Sequence, residues 1–503
     1  MKSNLILAID QGTTSSKALL IDTTGTVVAS GSCPLSISSP QPGWVEQDAT
    51  EIWSSVVTAI QVALLGCPGA DILGVAISNQ RETVVAWDSQ DGHPVGPAIS
   101  WQDQRGDAFC KSLATPQNSE LVRRLSGLEL GSMFSASKVA WFLERHGNNP
   151  DLRVGTVETW LIDRLTGGTV YATEAGNASR TLLFNIEAQS WSPALGELFH
   201  VDTRRLAEVR PSTGPWGTTL GVPGVPDGTP ILAVLGDSHA ALYGHWALAP
   251  DRGSVGKATY GTGSSVMVPT DGSARRIDGI STTLAWQVPE PLWAFEGNIL
   301  YSGAGMDWLA RTLGVGTGAE FSQLAASTAS SRGTVFVPAL NGLGAPWWES
   351  TAVGTITGLD SATTRAEIAR AGIESVAHQI CDIVEALDLT GSQPALHAGG
   401  GATTSQILMQ TQADLLGRTL LVSRIADISA LGAGALAFKA AKVEFTPDVT
   451  LAPSEVHPNA TFTPEARSAS RDAWRDALWR AGVDLPRKNH PPTETHEELI
   501  SHD

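Results

Sequence analysis

The apolar positions of this chain fall into two patterns: short unbroken runs that stop at turn residues, and longer stretches with apolar residues at helical spacing. Residues 5–9 form an unbroken run rich in branched side chains. Such a run reads as a strand buried on both faces. It ends at Asp10, and Gly12, Thr13, Thr14, Ser15, Ser16 and Lys17 lead into a second run at 18–21. A Thr24-Gly25 turn and a third strand at 26–32 complete a meander. Asp48 and Glu51 have the spacing of an acidic capping box. The helix they start carries Ile52, Val56, Ile60 and Leu64 on one face. Residues 74–78 and 83–87 read as further strands.

Three strands, a helix and a strand are the opening order of a ribonuclease-H-like domain. The centre of the chain is mixed, with a helix expected at 157–165. A strand at 229–235 runs to Gly236-Asp237 and repeats the arrangement of Ile9-Asp10: an apolar strand with a carboxylate at its end. A helix is expected at 240–248. Then the opening pattern recurs. Residues 257–260 lead into Gly261-Thr262-Gly263-Ser264-Ser265 and a second apolar run at 266–268, which reads as an internal duplication. Thr364 and Glu367 form a capping box before Ile368, Gly372, Val376, Ile380, Ile383 and Leu387 at helical spacing. A strand at 396–398 runs into Gly399-Gly400-Gly401, and a helix is expected at 404–416. Residues 486–503 are polar and read as a loose tail.

Composition narrows the function. A chain of 503 residues exceeds one core. The divisions expected are 1–245, 246–485 and the tail. With 51 acidic against 33 basic residues the net charge is -18, which argues against a nucleic-acid partner. The cysteines Cys33, Cys67, Cys110 and Cys381 are scattered, form no CxxC pair and read as reduced thiols. No secretory signal or apolar stretch of membrane-spanning length is evident, so a cytoplasmic protein without membrane contact is expected. The turn after Asp10 suits a nucleoside triphosphate: backbone N–H groups and hydroxyls meet phosphate oxygens, and the carboxylate can hold Mg²⁺. A polar hairpin turn explains the same residues equally well. The stretch is not a Walker A loop, which leads into a helix.

Three turns in order, IDQGTTSSK, YGTGSS and AGGGATTS, resemble those of the sugar kinase, actin and heat-shock ATPase superfamily. Further segments are PGWVEQD, SNQRET, ETWLIDRLTGG, NASRTLLFNI, GLGAPWW and LMQTQADLLGR. Together they resemble the FGGY carbohydrate kinases, and among those the glycerol kinases most. The resemblance implies an α/β fold of two ribonuclease-H-like, actin-like ATPase domains with a cleft between them. It implies ATP and Mg²⁺ as cofactors and a small polyol or sugar as acceptor. A homodimer or tetramer is compatible with it.

By the same resemblance Asp237 is the catalytic base and Asp10 the Mg²⁺-associated carboxylate. Thr13, Thr14, Ser15, Lys17 and Thr262 are phosphate contacts; Gly303, Asp307, Gly401 and Ser405 are adenine and ribose contacts. Lys17 stands where Arg is frequent, Asp307 where Gln is common, and Ser405 where Asn is common. Arg81 and Glu82 match residues that bond acceptor hydroxyls, and Trp101 an aromatic wall. His239, Trp347 and Trp348 are read as structural. Three positions depart from glycerol kinase: Met133 for a Tyr, Ser238 for a Gln, Ser265 for a Phe. They imply an acceptor larger than glycerol, with glycerol itself as the alternative. A nucleotide switch of the actin type shares the phosphate turns but has no use for Arg81, Glu82 and Asp237 together.

Overall fold

The computed structural model describes residues 4–147, 149–249, 255–387 and 395–485; the tail at 486–503 lies outside them. The first half is built on β1 (Leu5–Gln11), β2 (Ser15–Ile21) and β3 (Val27–Pro34), an antiparallel meander. Helix α1 (Ala49–Gly66) follows, and β4 (Ile72–Asn79) and β5 (Ile231–Gly236) add in parallel. The order is β5-β4-β1-β2-β3. Leu5, Leu7 and Ile9 pack with α1, while Ile6 and Ala8 pack on the opposite face. Burial of both faces is why β1 is apolar throughout.

Asp48 caps α1 by accepting from the N–H groups of Thr50 and Glu51. Glu51 does not close a box; its Oε1 accepts from the Ser36 N–H at 3.0 Å and ties the helix to the preceding loop. Among the described residues one helix, Ala49–Gly66, has the length and apolar composition that could cross a membrane. Its Ile52, Val56 and Ile60 lie fully buried in the protein core. The strand expected at 83–87 is observed at Val84–Asp88, in a separate four-stranded sheet with Leu152–Thr156. The chain leaves the first sheet through Gln80–Thr83, where Glu82 holds a φ of 64°.

Helix α2 (Asp237–Leu248) starts at Asp237 itself, earlier than expected, with Gly236 as its cap. The second half then repeats the first. β6 (Val255–Tyr260), β7 (Ser264–Pro269), β8 (Ser281–Gln287) and β9 (Pro291–Ile299) are antiparallel neighbours. Helix α3 (Arg365–Ala386) opens on the capping box of Thr364 and Glu367, formed in both directions. β10 (Ala395–Gly399), α4 (Gln406–Leu416), β11 (Leu420–Val422), α5 (Ile428–Ala440) and β12 (Ser454–Val456) complete the order β8-β9-β7-β6-β10-β11-β12. Residues 401–404 form a 3₁₀ turn rather than the start of α4, and Ser405 is the cap residue.

Helices α2 and α5 join the halves. α5 comes from the second half yet packs on β1, β4 and β5 of the first. The two helices touch backbone to backbone. A Cβ on Gly432 would lie 1.9 Å from the Ala240 carbonyl oxygen, and one on Gly244 2.6 Å from that of Ile428.

Candidate active site

Pairing register places the first carboxylate. Asp10 lies opposite Lys17 on β2 and Ser78 on β4, and Gly236 pairs with Asn79 on the other side of β4. Asp10 and Asp237 therefore emerge at the same end of the sheet. Asp10 accepts from Ser78 Oγ at 2.7 Å. Burial pushes its carboxyl up to about 6, and Asp237 adds to the rise. Thr13 and Thr14 stand in the turn between β1 and β2, and Ser15 opens β2. Thr13 Oγ1 accepts from the Trp101 indole at 3.0 Å, which ties Trp101 to the turn between β1 and β2. Gln47 donates to the Thr13 carbonyl at 2.7 Å, and Gln80 donates to both Gln11 and Gln47 at 3.0 Å. Lys17 Nζ is engaged with Asp427 at 2.6 Å, just before α5.

Asp237 begins a helix, where the N-terminal end favours a negative group. Its side chain is 43% exposed and lies 3.3 Å from Arg81 Nε. Enclosure raises its proton affinity; Arg81 opposes that rise. The Arg81 guanidinium is 6% exposed and donates to both Glu296 oxygens, at 2.9 and 2.7 Å. Such a two-point pair fixes the plane of the fork. Arg180 joins the same hub: Nε donates to Glu82 Oε1 at 2.6 Å, and its other end lies 3.0 Å from Glu296. Two arginines hold Glu296 ionised and keep its pKa far below the ordinary carboxylate value, despite burial. Glu82 sits in left-handed backbone, which is costly for a side chain with a Cβ. Arg180 holds the carboxylate end of this residue and Ser135 Oγ its carbonyl, at 3.0 Å.

Met133 lies in a loop pinned by one buried ammonium. Lys138 donates to the carbonyls of Ser132, Met133 and Phe134, at 2.5, 2.8 and 3.0 Å. On the other side of Asp237, Lys257 Nζ reaches Ser238 Oγ at 3.1 Å, Thr259 Oγ1 at 2.8 Å and Ser265 Oγ at 3.4 Å. His239 is fully buried, with Nε2 3.3 Å from Arg81 and from Thr283. Burial and Arg81 push its pKa well below the ordinary imidazole value. Trp347 donates to Asp382 and Trp348 to the Gly279 carbonyl, away from Asp237.

Thr262, Gly303, Asp307, Gly401 and Ser405 all line one cavity of about 870 Å³, with Phe321 and Ile373 as apolar walls. Gly303 allows close approach: a Cβ there would lie 2.5 Å from the Gly261 carbonyl oxygen. Ser405 Oγ is 3.2 Å from Ser322 Oγ. The structure thus gathers Thr262, Gly303, Asp307, Gly401 and Ser405 around one cavity and Arg81, Glu82 and Asp237 around one charged hub, while Thr13, Thr14, Ser15 and Lys17 stay on the first half with Trp101.

Sequence reasoning missed Glu296, Arg180, Lys138 and Lys257. The available signal was a single charge inside an apolar strand, as in 291–299 and 255–260. Arg180 stood in a recognised segment, NASRTLLFNI, without a role.

Comparison with known proteins places the whole chain in one family. Residues 5–244 match the N-terminal domain of the FGGY family of carbohydrate kinases and 256–441 its C-terminal domain. An apulose kinase of Pectobacterium atrosepticum is 41% identical over 96% of this chain and 99% of its own length. A glycerol kinase of a Geobacter species is 40% identical over 86% of this chain and 89% of its own. The crystal structure of Plasmodium falciparum glycerol kinase with ADP superposes with a TM-score of 0.85 at 28% identity, covering 96% of this chain and 99% of that one. The fold is accordingly the two-domain actin-like ATPase fold, and the chain belongs to the FGGY family of carbohydrate kinases.

Proposed function

We propose that this kinase transfers the γ-phosphoryl group of ATP to a hydroxyl of a sugar or polyol larger than glycerol, with Asp237 as base. The observation that carries the reading is the setting of Asp237, at a helix start and 3.3 Å from an arginine that Glu296 locks in place. In the reaction the acceptor hydroxyl gives its proton to the Asp237 carboxylate. Its oxygen forms the bond to the γ-phosphorus, and the bond to the β–γ bridging oxygen breaks, releasing ADP. A base with raised proton affinity suits that proton transfer. Arg81 and Glu82 hold acceptor hydroxyls, and Trp101 covers the carbon skeleton.

Asp10 fits a magnesium ion. Its carboxylate is desolvated and repelled by Asp237, a state that a cation relieves. Among the described residues no cluster of three or more metal-ligating side chains forms a cage. Magnesium needs none, since it keeps waters and shares phosphate oxygens. When bound, the ion supplies charge neutralisation at the phosphates.

Met133, Ser238 and Ser265 support the larger acceptor. Ser238, next to Asp237, and Ser265 are short side chains that both touch Lys257, and Lys138 fixes the loop of Met133, which limits its ability to refill the space. The test is coupled ADP release over glycerol, erythritol, threitol, ribitol, xylitol, xylulose and apulose. The highest kcat/KM is expected on a four- or five-carbon acceptor. A higher value on glycerol than on all the others would make the chain a glycerol kinase with an altered pocket.

A further inference from the structure

The cations around Asp237 and the hydroxyl-bearing turns are Arg81, Arg180, Lys17 and Lys257. Arg81 and Arg180 pair with Glu296, Arg180 also with Glu82, and Lys17 with Asp427. Lys257 differs. It is 1% exposed, and among the described residues no carboxylate lies within ion-pair distance of it. Its Nζ donates to hydroxyls: Ser238 Oγ at 3.1 Å, Thr259 Oγ1 at 2.8 Å and Ser265 Oγ at 3.4 Å. Lys138 is buried without a carboxylate too, but its hydrogens end on backbone carbonyls and fix a loop.

The place of Lys257 follows from register. Along β6, Ala258 and Tyr260 enter the core beneath α3, so Lys257 and Thr259 lie on the opposite face. Helix α2 packs on β6. Ser238 follows Asp237 at the start of α2, and Thr259 stands on the strand that runs into the turn of Thr262. Both Ser238 and Thr259 are part-exposed. One ammonium thus holds a hydroxyl beside Asp237 and another on the approach to Thr262. A buried charge without a partner is costly, and such groups cluster at functional sites. Phosphoryl transfer supplies the missing partner. It brings the Asp237 carboxylate and the phosphoryl group together, two anions whose repulsion grows as the hydroxyl oxygen nears phosphorus. A fixed cation beside them offsets that repulsion most in the transition state.

We propose that Lys257 is a positioning residue for the transfer step: it orients the Ser238 and Thr259 hydroxyls toward the migrating phosphoryl group and sets a counter-charge behind them. The inference rests on the reading of Asp237 as base and goes beyond it. An ammonium donates three hydrogens and accepts none. Each hydroxyl that it touches therefore accepts from it and has its own hydrogen left for an oxygen in the cleft. Burial pushes Lys257 down to about 8; Glu296 and Asp237 oppose the fall, and Arg81 adds to it. His239 and His245, on α2, are pushed by burial well below the ordinary imidazole value and bring no charge at neutral pH. A bound triphosphate holds the lysine proton more firmly.

The test is the pH dependence of ADP release by the full chain with magnesium and the best acceptor. In wild type, kcat/KM for ATP should fall above about pH 8, because it reports the free enzyme. The fall in kcat should come about one pH unit higher or more, because the bound anion raises the lysine. Lys257→Arg keeps a cation that titrates far higher, so the fall near pH 8 should vanish while kcat at neutral pH stays within about 10-fold of wild type. Lys257→Met should lose on the order of 10²-fold in kcat, with KM for ATP and acceptor within about 3-fold. It should melt no lower than wild type, since an unpaired buried charge is gone; a merely structural lysine predicts the reverse, a lower melting point and an intact kcat. If Lys257→Met is not recovered folded, the Lys257→Arg profile decides. The proposal fails if wild-type kcat/KM is flat from about pH 7 to 10, or if the fall persists in Lys257→Arg. It also fails if Lys257→Met keeps kcat within about 3-fold, whether or not KM for ATP rises. Near wild-type turnover of Asp237→Asn would sink the base reading, whereas a loss there beside an intact Lys257→Met would sink this inference alone. No ADP release with any acceptor would sink both.

Discussion

Replacing Glu296 by Gln keeps the shape of the side chain and removes the charge that two arginines share. In the native protein Glu296 is 0% exposed, Arg81 6% and Arg180 1%. The contacts are 2.7, 2.9 and 3.0 Å long. Arg81 donates to both carboxylate oxygens and Arg180 approaches Oε2, so in either orientation the amide NH₂ of the variant faces an Arg81 donor. Removing one partner of a buried ion pair costs about 3–5 kcal/mol. With no volume lost, no cavity cost adds to this. Glu296→Gln should therefore lower the unfolding free energy by about 3–5 kcal/mol at pH 7, read from urea midpoints by tryptophan fluorescence. The pH dependence has a definite sign. The folded carboxyl titrates far below the 4.5 of the unfolded chain. Its contribution is present above 4.5 and is lost as pH falls toward the folded value. The gap between wild type and variant should narrow progressively below about pH 4.5. A gap under about 1 kcal/mol at pH 7, the range of exposed pairs, would refute the hub. So would a gap that widens in acid.

Asp237→Asn should retain ADP binding by calorimetry and lose at least ~10²–10⁴ in kcat, the usual worth of a general base; near wild-type turnover would remove Asp237 from the mechanism. The two halves should close on ligands to exclude water from the γ-phosphate. Small-angle scattering with an ATP analogue and acceptor should show a smaller radius of gyration, and no change with both ligands bound would count against closure. Lys17 and Asp427 form a part-exposed pair, 40% and 29% exposed, worth at most about 1 kcal/mol of stability. Lys17→Ala should raise KM for ATP more than Asp427→Ala does; equal effects would confine Lys17 to the ion pair.

The sequence was most legible where one residue type serves one physical need. Unbroken apolar runs marked β1 and β4 because each is covered on both faces. Thr364 and Glu367 marked the start of α3 because a capping box is local. Asp48 and Glu51 have the same spacing, but Ser36, distant in sequence, takes the Glu51 carboxylate. The strand at 84–88 was visible as a strand, but its departure into another sheet depends on the left-handed Glu82, which no periodicity encodes. The residues expected to contact ligand were visible through motifs. The charges behind them were not: Glu296, Arg180 and Lys257 act across strands whose pairing emerges only in three dimensions.

The glycine contact between α2 and α5 has a mechanical consequence. Ala240, which Gly432 touches, is three positions from Asp237 along α2, about 4–5 Å at 1.5 Å per residue. If the halves rotate about this crossing as a hinge, displacement grows with distance from the pivot. A turn of about 10° would move Asp237 by about 1 Å, whereas an atom about 25 Å away would travel about 4 Å. Asp237 then sits near the fulcrum, and the outer loops lie on the long arm. Changes in outer loops can retune how far the cleft opens while leaving the Asp237 carboxylate almost stationary.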